Sequence, residues 1–150
     1  MSPAEEIRAF GEDRKEHVQQ VILPALRAGH TVVLDRYFYS TLAYQGSQGA
    51  NVSELEGATH DIAPEPDIVF LLDLAPEIGL ARIQQGRGET PNSFEKLSDL
   101  RRARDIFRDL ASKHRNIVLL NGAESIQAIH RAIVGTLLQG VLQGRLPAKS

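Results

Sequence analysis

The sequence predicts an α/β fold in which a parallel sheet lies between two layers of helices. Segments with apolar residues at three-to-four spacing alternate along the 150 residues with short apolar runs. One such run, residues 67–74 (DIVFLLDL), is apolar on both faces, as are the buried strands of parallel sheets. Strands that alternate with helices indicate parallel βα units, so we expect a single three-layer α/β/α domain over residues 1–150.

The first predicted helix has a typical start and a typical end. Ser2 can cap its first turn, and Pro3 fits the first helical position. Apolar side chains then recur at three-to-four spacing. Gly29 suits the left-handed position that ends many helices, so the helix is predicted to stop near it.

The remaining elements follow from the same two periodicities. Apolar or β-branched runs predict strands at residues 31–34, 67–74 and 116–120. Helical spacing predicts helices at residues 39–45, 52–59, 76–85, 94–114 and 125 to about 142. Residues 86–93 (GRGETPNS) lie between two of these helices and are predicted to form a lid-like loop.

The composition excludes several classes of protein. With 17 basic and 19 acidic residues the net charge is −2, so a nucleic-acid partner is not expected. The absence of cysteine excludes disulfides, thiolate metal sites and thiol catalysis. The apolar runs are too short to span a membrane, and the start MSPAEEIRAF lacks the apolar stretch of a signal peptide. We expect a soluble cytoplasmic protein without a membrane partner.

The first predicted strand runs directly into Asp35 and Arg36. Ligands of open α/β sheets bind at the carboxyl ends of the strands. An aspartate there can hold Mg²⁺, and an arginine can grip a phosphate with two N–H groups. The alternative is an ordinary salt-bridged pair at the end of a strand. No phosphate loop of the form G-x-x-x-x-G-K-[ST] occurs in the sequence.

Two aromatic–polar pairs are candidates for binding a flat ring. Phe10 and Arg14 are four residues apart and so share one face of the first helix. Such a pair suits a heterocycle that stacks on the ring and accepts hydrogen bonds from the guanidinium. Tyr44 and Gln45 form a similar pair. In both cases the alternative is an aromatic side chain in the core beside a polar group at the surface.

Arg82 and Arg87 lie on the near side of the predicted lid-like loop. Arginines on a closing loop can stabilise the charge of a transferring phosphoryl group. An ordinary solvated loop is the alternative.

These motifs together resemble the thymidylate kinase family. Residues 8–46 match its helix pattern L-F-x-x-x-R-x-x-H-V, its turn P-x-L-x-x-G and its strand end D-R-Y-x-x-S-x-x-A-Y-Q-G. The matching positions are Phe10, Arg14, His17, Val18, Pro24, Leu26, Gly29, Asp35, Arg36, Tyr37, Ser40, Ala43, Tyr44, Gln45 and Gly46. The resemblance continues through residues 64–74 (PEPDIVFLLDL) and the Phe-Glu at 94–95, and it covers roughly residues 3–140.

The resemblance implies a P-loop kinase-like fold and transfer of the γ-phosphoryl group of ATP to dTMP, with Mg²⁺, giving dTDP. Phe10 would stack on the thymine ring, and Arg14 would hydrogen-bond the base. Arg36 would hold the monophosphate and Asp35 would position Mg²⁺ or the phosphate. Arg36, Asp35 and Arg87 would be the catalytic residues, and Arg82 and Arg87 the lid residues. The substrate pocket would also contain Tyr37, Ser40, Tyr44 and Gln45.

The sequence departs from the family at two places. Asn92 and Ser93 replace the usual Asp-Arg before Phe-Glu, and Arg87 lies nearby as a substitute. The family's first strand, phosphate loop and following helix have no counterpart, so we expect a domain truncated at that unit. That first strand normally lies between the strands at 31–34 and 67–74. We therefore expect these two strands to pair directly, or a partner chain or terminal segment to fill the gap.

Three functions remain open at this point. The first is a thymidylate kinase. The second is a non-catalytic dTMP-binding or interaction module, which the missing phosphate loop favours. The third, a related deoxynucleoside kinase, is weaker because Ala43-Tyr44-Gln45-Gly46 is characteristic of the thymidylate group. The resemblance also implies a homodimer that packs the helix containing Val18 to Leu26.

Overall fold

The computed structural model describes residues 11–87, 93–140 and 142. The chain divides into two compact units, one formed by residues 1–65 and 98–106 and the other by residues 66–97 and 107–150. Each unit is described by itself below.

The first unit begins with helix α1, described over residues 11–27, which contains one wide turn. Residues Val18–Ile22 are π-helical, and α-helix resumes over Leu23–Arg27. Pro24 has no N–H, and its ring would clash with the carbonyl of residue 20 in a regular α-helix, so a wider turn just before it relieves that conflict. Val18 and Ile22 are buried, which places one face of this segment in the core.

Helix α1 ends at Arg27, two residues before Gly29, near which its sequence predicts the end. Gly29 has φ +79°, a conformation that glycine adopts without steric cost. His30 N donates to Ala25 O and Gly29 N to Leu26 O, both at 3.0 Å. This pair of bonds is the Schellman motif, which satisfies carbonyls that the helix leaves open.

Residues 31–34 do not form the predicted strand. They have no regular secondary structure, and Val33 is 88% exposed. Direct pairing with the strand at 67–74, the first of the two predicted alternatives, is therefore wrong for the described residues. The second alternative, a partner chain or terminal segment that fills the gap, stays a prediction. A β-branched sequence becomes a strand only where a neighbouring strand accepts its hydrogen bonds, and none is paired with it here.

Two consecutive helices complete this part of the unit, α2 (Phe38–Ser47) and α3 (Val52–His60). Asn51 caps α3 because its side chain accepts from Ser53 N at 3.1 Å and donates to Glu54 Oε1 at 2.8 Å. A Cβ on Gly46 would lie 2.6 Å from Val52 Cγ2, so this glycine lets α2 and α3 approach closely.

The core of the first unit is built mainly by α2. Phe38, Leu42 and Ala43 are completely buried on one face of this helix. Helix α5 (Ser93–Lys113) contributes residues 98–106 to the unit. Its Arg102 Nε donates to Ser47 O at 3.0 Å, at the carboxyl end of α2. A cation there complements the helix dipole, and the contact fixes α2 within the unit.

The second unit contains a parallel two-stranded sheet. Strand β1 (Val69–Asp73) pairs with β2 (Ile117–Asn121) in register, Val69 opposite Ile117. Helix α4 (Pro76–Arg87) follows β1, and helix α6 (Ile126–Gln139) follows β2. The α/β class with parallel strands is therefore confirmed, with two strands in the described residues instead of three.

Most predicted helix boundaries agree with the structure to within two residues. The exception is α6, which ends at Gln139, whereas its predicted end is at about residue 142. Helix α4 continues to Arg87, so residues 86 and 87 are helical and do not belong to the predicted lid-like loop. Residues 88–92 of that loop lie outside the described part. Within the described residues, no helix combines the length and the hydropathy that crossing a bilayer requires.

Candidate functional site

A cavity of about 600 Å³ in the first unit collects most of the predicted site residues. This volume is in the range of small-molecule sites. Its walls come from α1, from the segment before α2 and from one face of α2. The lining residues are Asp13, Arg14, His17, Leu34, Asp35, Arg36, Tyr37, Ser40, Thr41, Tyr44, Gln45 and Gln48.

Arg14 is held at one wall of the cavity by two neighbours. Its Nη2 donates to Thr41 Oγ1 at 3.0 Å, and its guanidinium carbon lies 5.8 Å from the centre of the Tyr37 ring. Burial lowers the pKa of Arg14, while charge interactions with Tyr37 and Asp13 act in the opposite direction. Arginine nevertheless stays charged at neutral pH, so this wall carries a partly buried positive charge.

Tyr37 supports this wall mainly through its ring. Burial raises the pKa of its hydroxyl, partly opposed by the charge of Arg14. The hydroxyl oxygen is buried, and no described residue is within hydrogen-bonding reach of it. The ring of Tyr37 also contacts that of Phe38, with centroids 4.9 Å apart.

Asp35 and Arg36 lie where the predicted strand end was expected, although the strand itself is absent. Arg36 has φ +69°, the left-handed region that side chains other than glycine rarely adopt. Its guanidinium carbon lies 5.5 Å from the centre of the Tyr44 ring. Strained backbone of this kind is concentrated at ligand sites, where it directs a side chain that a relaxed turn would place elsewhere.

The amino end of α2 faces the same cavity, because Tyr37 and Ser40 both line it. Tyr37 is the residue before the helix, and its side chain makes no capping hydrogen bond. The first N–H groups of α2 are therefore not capped by that side chain. The amino end of a helix attracts anions through its dipole, and Arg36 adds a full positive charge beside it.

The rest of the cavity wall is one face of α2. The residues of α2 that line the cavity follow Tyr37 at helical spacing. They are Thr41, Tyr44, Gln45 and Gln48. Gln45 is buried, whereas Tyr44 is partly exposed. This face offers an aromatic ring, a hydroxyl and amides, which suits a polar heterocycle.

The sequence-based prediction missed part of this wall. Asp13, His17, Leu34, Thr41 and Gln48 line the cavity but were not assigned to the site. The helical spacings of Arg14 to His17, of Tyr37 to Thr41 and of Tyr44 to Gln48 predict three of these side chains once each helical face is extended by one turn.

Three predicted site residues are not placed in the cavity. Phe10 lies outside the described residues, and so does the side chain of Arg87. Arg82 belongs to the second unit, where its Nη1 donates to Gly122 O at 3.3 Å. The lid interpretation of Arg82 and Arg87 thus remains a prediction.

A family model, curated relatives and a solved structure all match this chain to thymidylate kinases. A protein-family model described as thymidylate kinase matches residues 1–133. A crystal structure of thymidylate kinase from Ehrlichia chaffeensis superimposes with a TM-score of 0.72 at 25% identity, covering 91% of this chain and 65% of that one. The match supports the predicted P-loop kinase-like fold.

Curated relatives carry the same name. A thymidylate kinase of Xylella fastidiosa strain M12 is 41% identical over 147 residues, which is 98% of this chain and 65% of the relative. One from Xanthomonas euvesicatoria pv. vesicatoria strain 85-10 is 43% identical over 139 residues, 91% of this chain and 61% of the relative. The chain thus spans slightly less than two thirds of these relatives' length.

Proposed function

Because this chain belongs to the thymidylate kinase family, we propose that it carries the acceptor site of a kinase that transfers the γ-phosphoryl group of ATP to dTMP, giving dTDP. The observation that supports this most directly is the cavity of the first unit. It brings Arg14 and Arg36, which the family pattern assigns to the two ends of dTMP, to one site.

The proposed roles follow the chemistry of the walls. Arg14 donates hydrogen bonds to the base, and Arg36 with the amino end of α2 binds the monophosphate. Tyr44 and Gln45 line the sugar and base region, and Ser40 lies next to the phosphate end. Phe10 is assigned to stack on the base by family pattern alone.

Asp35 is suited to bind Mg²⁺ through its carboxylate, as aspartates do in phosphoryl-transfer sites. The described residues contain no cluster of three potential metal ligands. Kinase Mg²⁺ needs only one or two carboxylates, because phosphate oxygens and water complete its shell. Asp35, which lines the cavity beside Arg36, can supply that carboxylate. A bound Mg²⁺ would neutralise phosphate charge during transfer.

Catalysis in this proposal depends on positioning and charge. Phosphoryl transfer needs little covalent chemistry from the protein, so Asp35, Arg36 and Arg87 act by orienting and neutralising phosphate oxygens. Arg82 and Arg87 are assigned to the lid on the same grounds as in the family pattern.

The net charge of −2 supports a protein without a nucleic-acid partner, and we propose a cytoplasmic location.

The non-catalytic alternative is less well supported than the kinase. The family match and the names of the relatives both favour an enzyme. The third interpretation, a related deoxynucleoside kinase, has no structural observation in its favour.

A coupled assay with ATP, Mg²⁺ and dTMP tests the proposed activity on the 150-residue chain. We expect ADP formation that requires dTMP. A thermal-shift titration with dTMP tests the acceptor site separately, because a ligand that binds only the native state raises the melting temperature. Binding without turnover would support the non-catalytic module, and the absence of both would contradict the acceptor-site assignment.

We also propose a homodimer formed through α1. Val21 and Leu26 on this helix are 52% and 41% exposed, while Val18 and Ile22 are buried in the unit itself. Exposed apolar residues on one helix suit an interface with a second copy.

A further inference from the structure

Strand β1 has one open edge in the described part of the chain. On its other side it pairs with β2, where Val69 N donates to the backbone and Asp73 O accepts from it, both at 2.8 Å. Successive residues of a strand direct their backbone groups to alternate sides, so the N–H and C=O groups of Phe70 and Leu72 point away from β2. No third strand of the described residues pairs with them.

This edge lacks the features that normally protect edge strands. Residues 68–72 (IVFLL) contain no charged residue and no proline, and Leu72 is 52% exposed. Edge strands usually carry a lysine, a proline or a bulge that disfavours pairing with another chain. A strand that is apolar on both faces also normally lies inside a parallel sheet and not at its margin. The open edge of β1 is therefore suited to receive a further strand.

Residues 31–34 (TVVL) have the converse feature, a strand-forming sequence without a strand partner. They have no regular secondary structure, and Val33 is 88% exposed. β-Branched residues favour strands once a neighbouring strand accepts their hydrogen bonds. Within one chain this segment and β1 are not paired in the described residues. A second copy of the chain supplies each of them with the partner that it lacks.

The polar residues at the ends of the two segments are complementary. Residues 30–36 (HTVVLDR) and 67–73 (DIVFLLD) are equally long, and each has an apolar centre between polar ends. Aligned in parallel, they place Arg36 beside Asp73, and opposite charges on neighbouring strands are favourable. Arginine has five N–H donors, so this contact leaves donors for a phosphate. The parallel direction also places Asp35 at the carboxyl end of a strand, where open α/β sheets bind their ligands.

We infer that residues 31–34 of one copy add as a parallel strand to the open edge of β1 of a second copy, with Val33 opposite Phe70. Backbone hydrogen bonds hold the added strand, as in other cases of strand addition. The side chains of Leu34 and Leu72, 38% and 52% exposed, become covered at the same time. The contact is short and therefore transient, and it is separate from the interface proposed on α1.

Disulfide trapping tests this inference cleanly, because the chain contains no cysteine. Neighbouring strands lie about 4.7–4.9 Å apart, a distance that a disulfide can bridge between opposite residues. A mixture of Val33→Cys chains and tagged Phe70→Cys chains should form mixed disulfide dimers about tenfold faster than the control mixture, because pairing raises the effective concentration of the thiols. The control replaces Phe70→Cys by Ile126→Cys, whose position is 82% exposed on α6 and outside the β1 edge. Mixed dimers that form no faster than in the control would overturn the inference.

Two further measurements keep the test decisive. Thr31→Cys chains should form mixed disulfides with Ile68→Cys chains faster than with Leu72→Cys chains, since only the parallel alignment places residue 31 beside residue 68. The reverse preference would overturn the parallel direction, and these pairs replace the first one if Phe70→Cys does not fold, as judged by circular dichroism. In a chain with both Val33→Cys and Phe70→Cys, the disulfide should form between chains and slow on dilution. A disulfide that closes within one chain, at a rate independent of dilution, would overturn the assignment to a second copy.

Discussion

Gly46 provides a quantitative test of how α2 is packed. A Cβ added there would lie 2.6 Å from Val52 Cγ2 and 2.9 Å from Ile106 Cδ1. Carbon atoms normally approach to about 3.5–4.0 Å, so Gly46→Ala forces α2, α3 or both side chains to shift. Overpacking of this kind costs about 1–3 kcal/mol.

The gain in helix propensity opposes this cost. Alanine is favoured over glycine inside a helix by about 1 kcal/mol. We therefore expect Gly46→Ala to be neutral or to destabilise the protein by up to about 2 kcal/mol. Gly57→Ala in α3 is the matched control, because its Cβ would meet nothing within 4 Å. It should stabilise the protein by about 0.5–1 kcal/mol.

Thermal and urea unfolding of the two variants measure the difference. We expect the melting temperature of Gly46→Ala to lie several degrees below that of Gly57→Ala, since about 1 kcal/mol corresponds to roughly 2–4 °C for a chain of this size. Val52→Ala should partly rescue Gly46→Ala by removing the closest clashing atom. Equal stabilisation by both alanines would refute the proposed packing of α2 against α3.

Three further predictions address the cavity and the proposed interface. Tyr37→Phe should leave the free energy of unfolding unchanged or raise it by about 1 kcal/mol, because the hydroxyl has no hydrogen-bond partner among the described residues. Clear destabilisation in urea unfolding would contradict this and show that the hydroxyl has a partner. The Arg36→Gly protein should be about 1 kcal/mol more stable than the Arg36→Ala protein, because only glycine adopts φ +69° freely. Both variants should lose affinity for dTMP. Equal stability of the two variants would contradict backbone strain at this position. If the proposed dimer forms, Val21→Glu and Leu26→Glu should each shift it to monomer in sedimentation experiments, whereas Gln19→Glu, at an exposed position of the same helix, should not. A wild-type protein that is monomeric at tens of micromolar would refute the proposed interface.

Much of the fold could be predicted from local signals. The helix end near Gly29 follows from a glycine in the left-handed position, and the start of α3 follows from Asn51 and Glu54. The parallel strand β1 follows from an apolar run on both faces. These features depend on a few neighbouring residues, which the sequence displays directly.

What could not be predicted depends on groups that are distant in sequence. Residues 31–34 have strand propensity but no strand paired with them in the described residues, so propensity alone failed. The bond from Arg14 to Thr41 requires α1 and α2 to pack in one register, which spacing along the chain does not reveal. The left-handed conformation of Arg36 is unfavourable locally and is imposed by its surroundings.

A crystal structure of this chain with dTMP tests the central claim most directly. We expect the base oxygen O4 within about 3 Å of the Arg14 guanidinium, and phosphate oxygens within about 3 Å of Arg36 or the first N–H groups of α2. A dTMP molecule bound elsewhere, or bound in the cavity with its phosphate away from Arg36, would contradict the assignment of this cavity as the acceptor site.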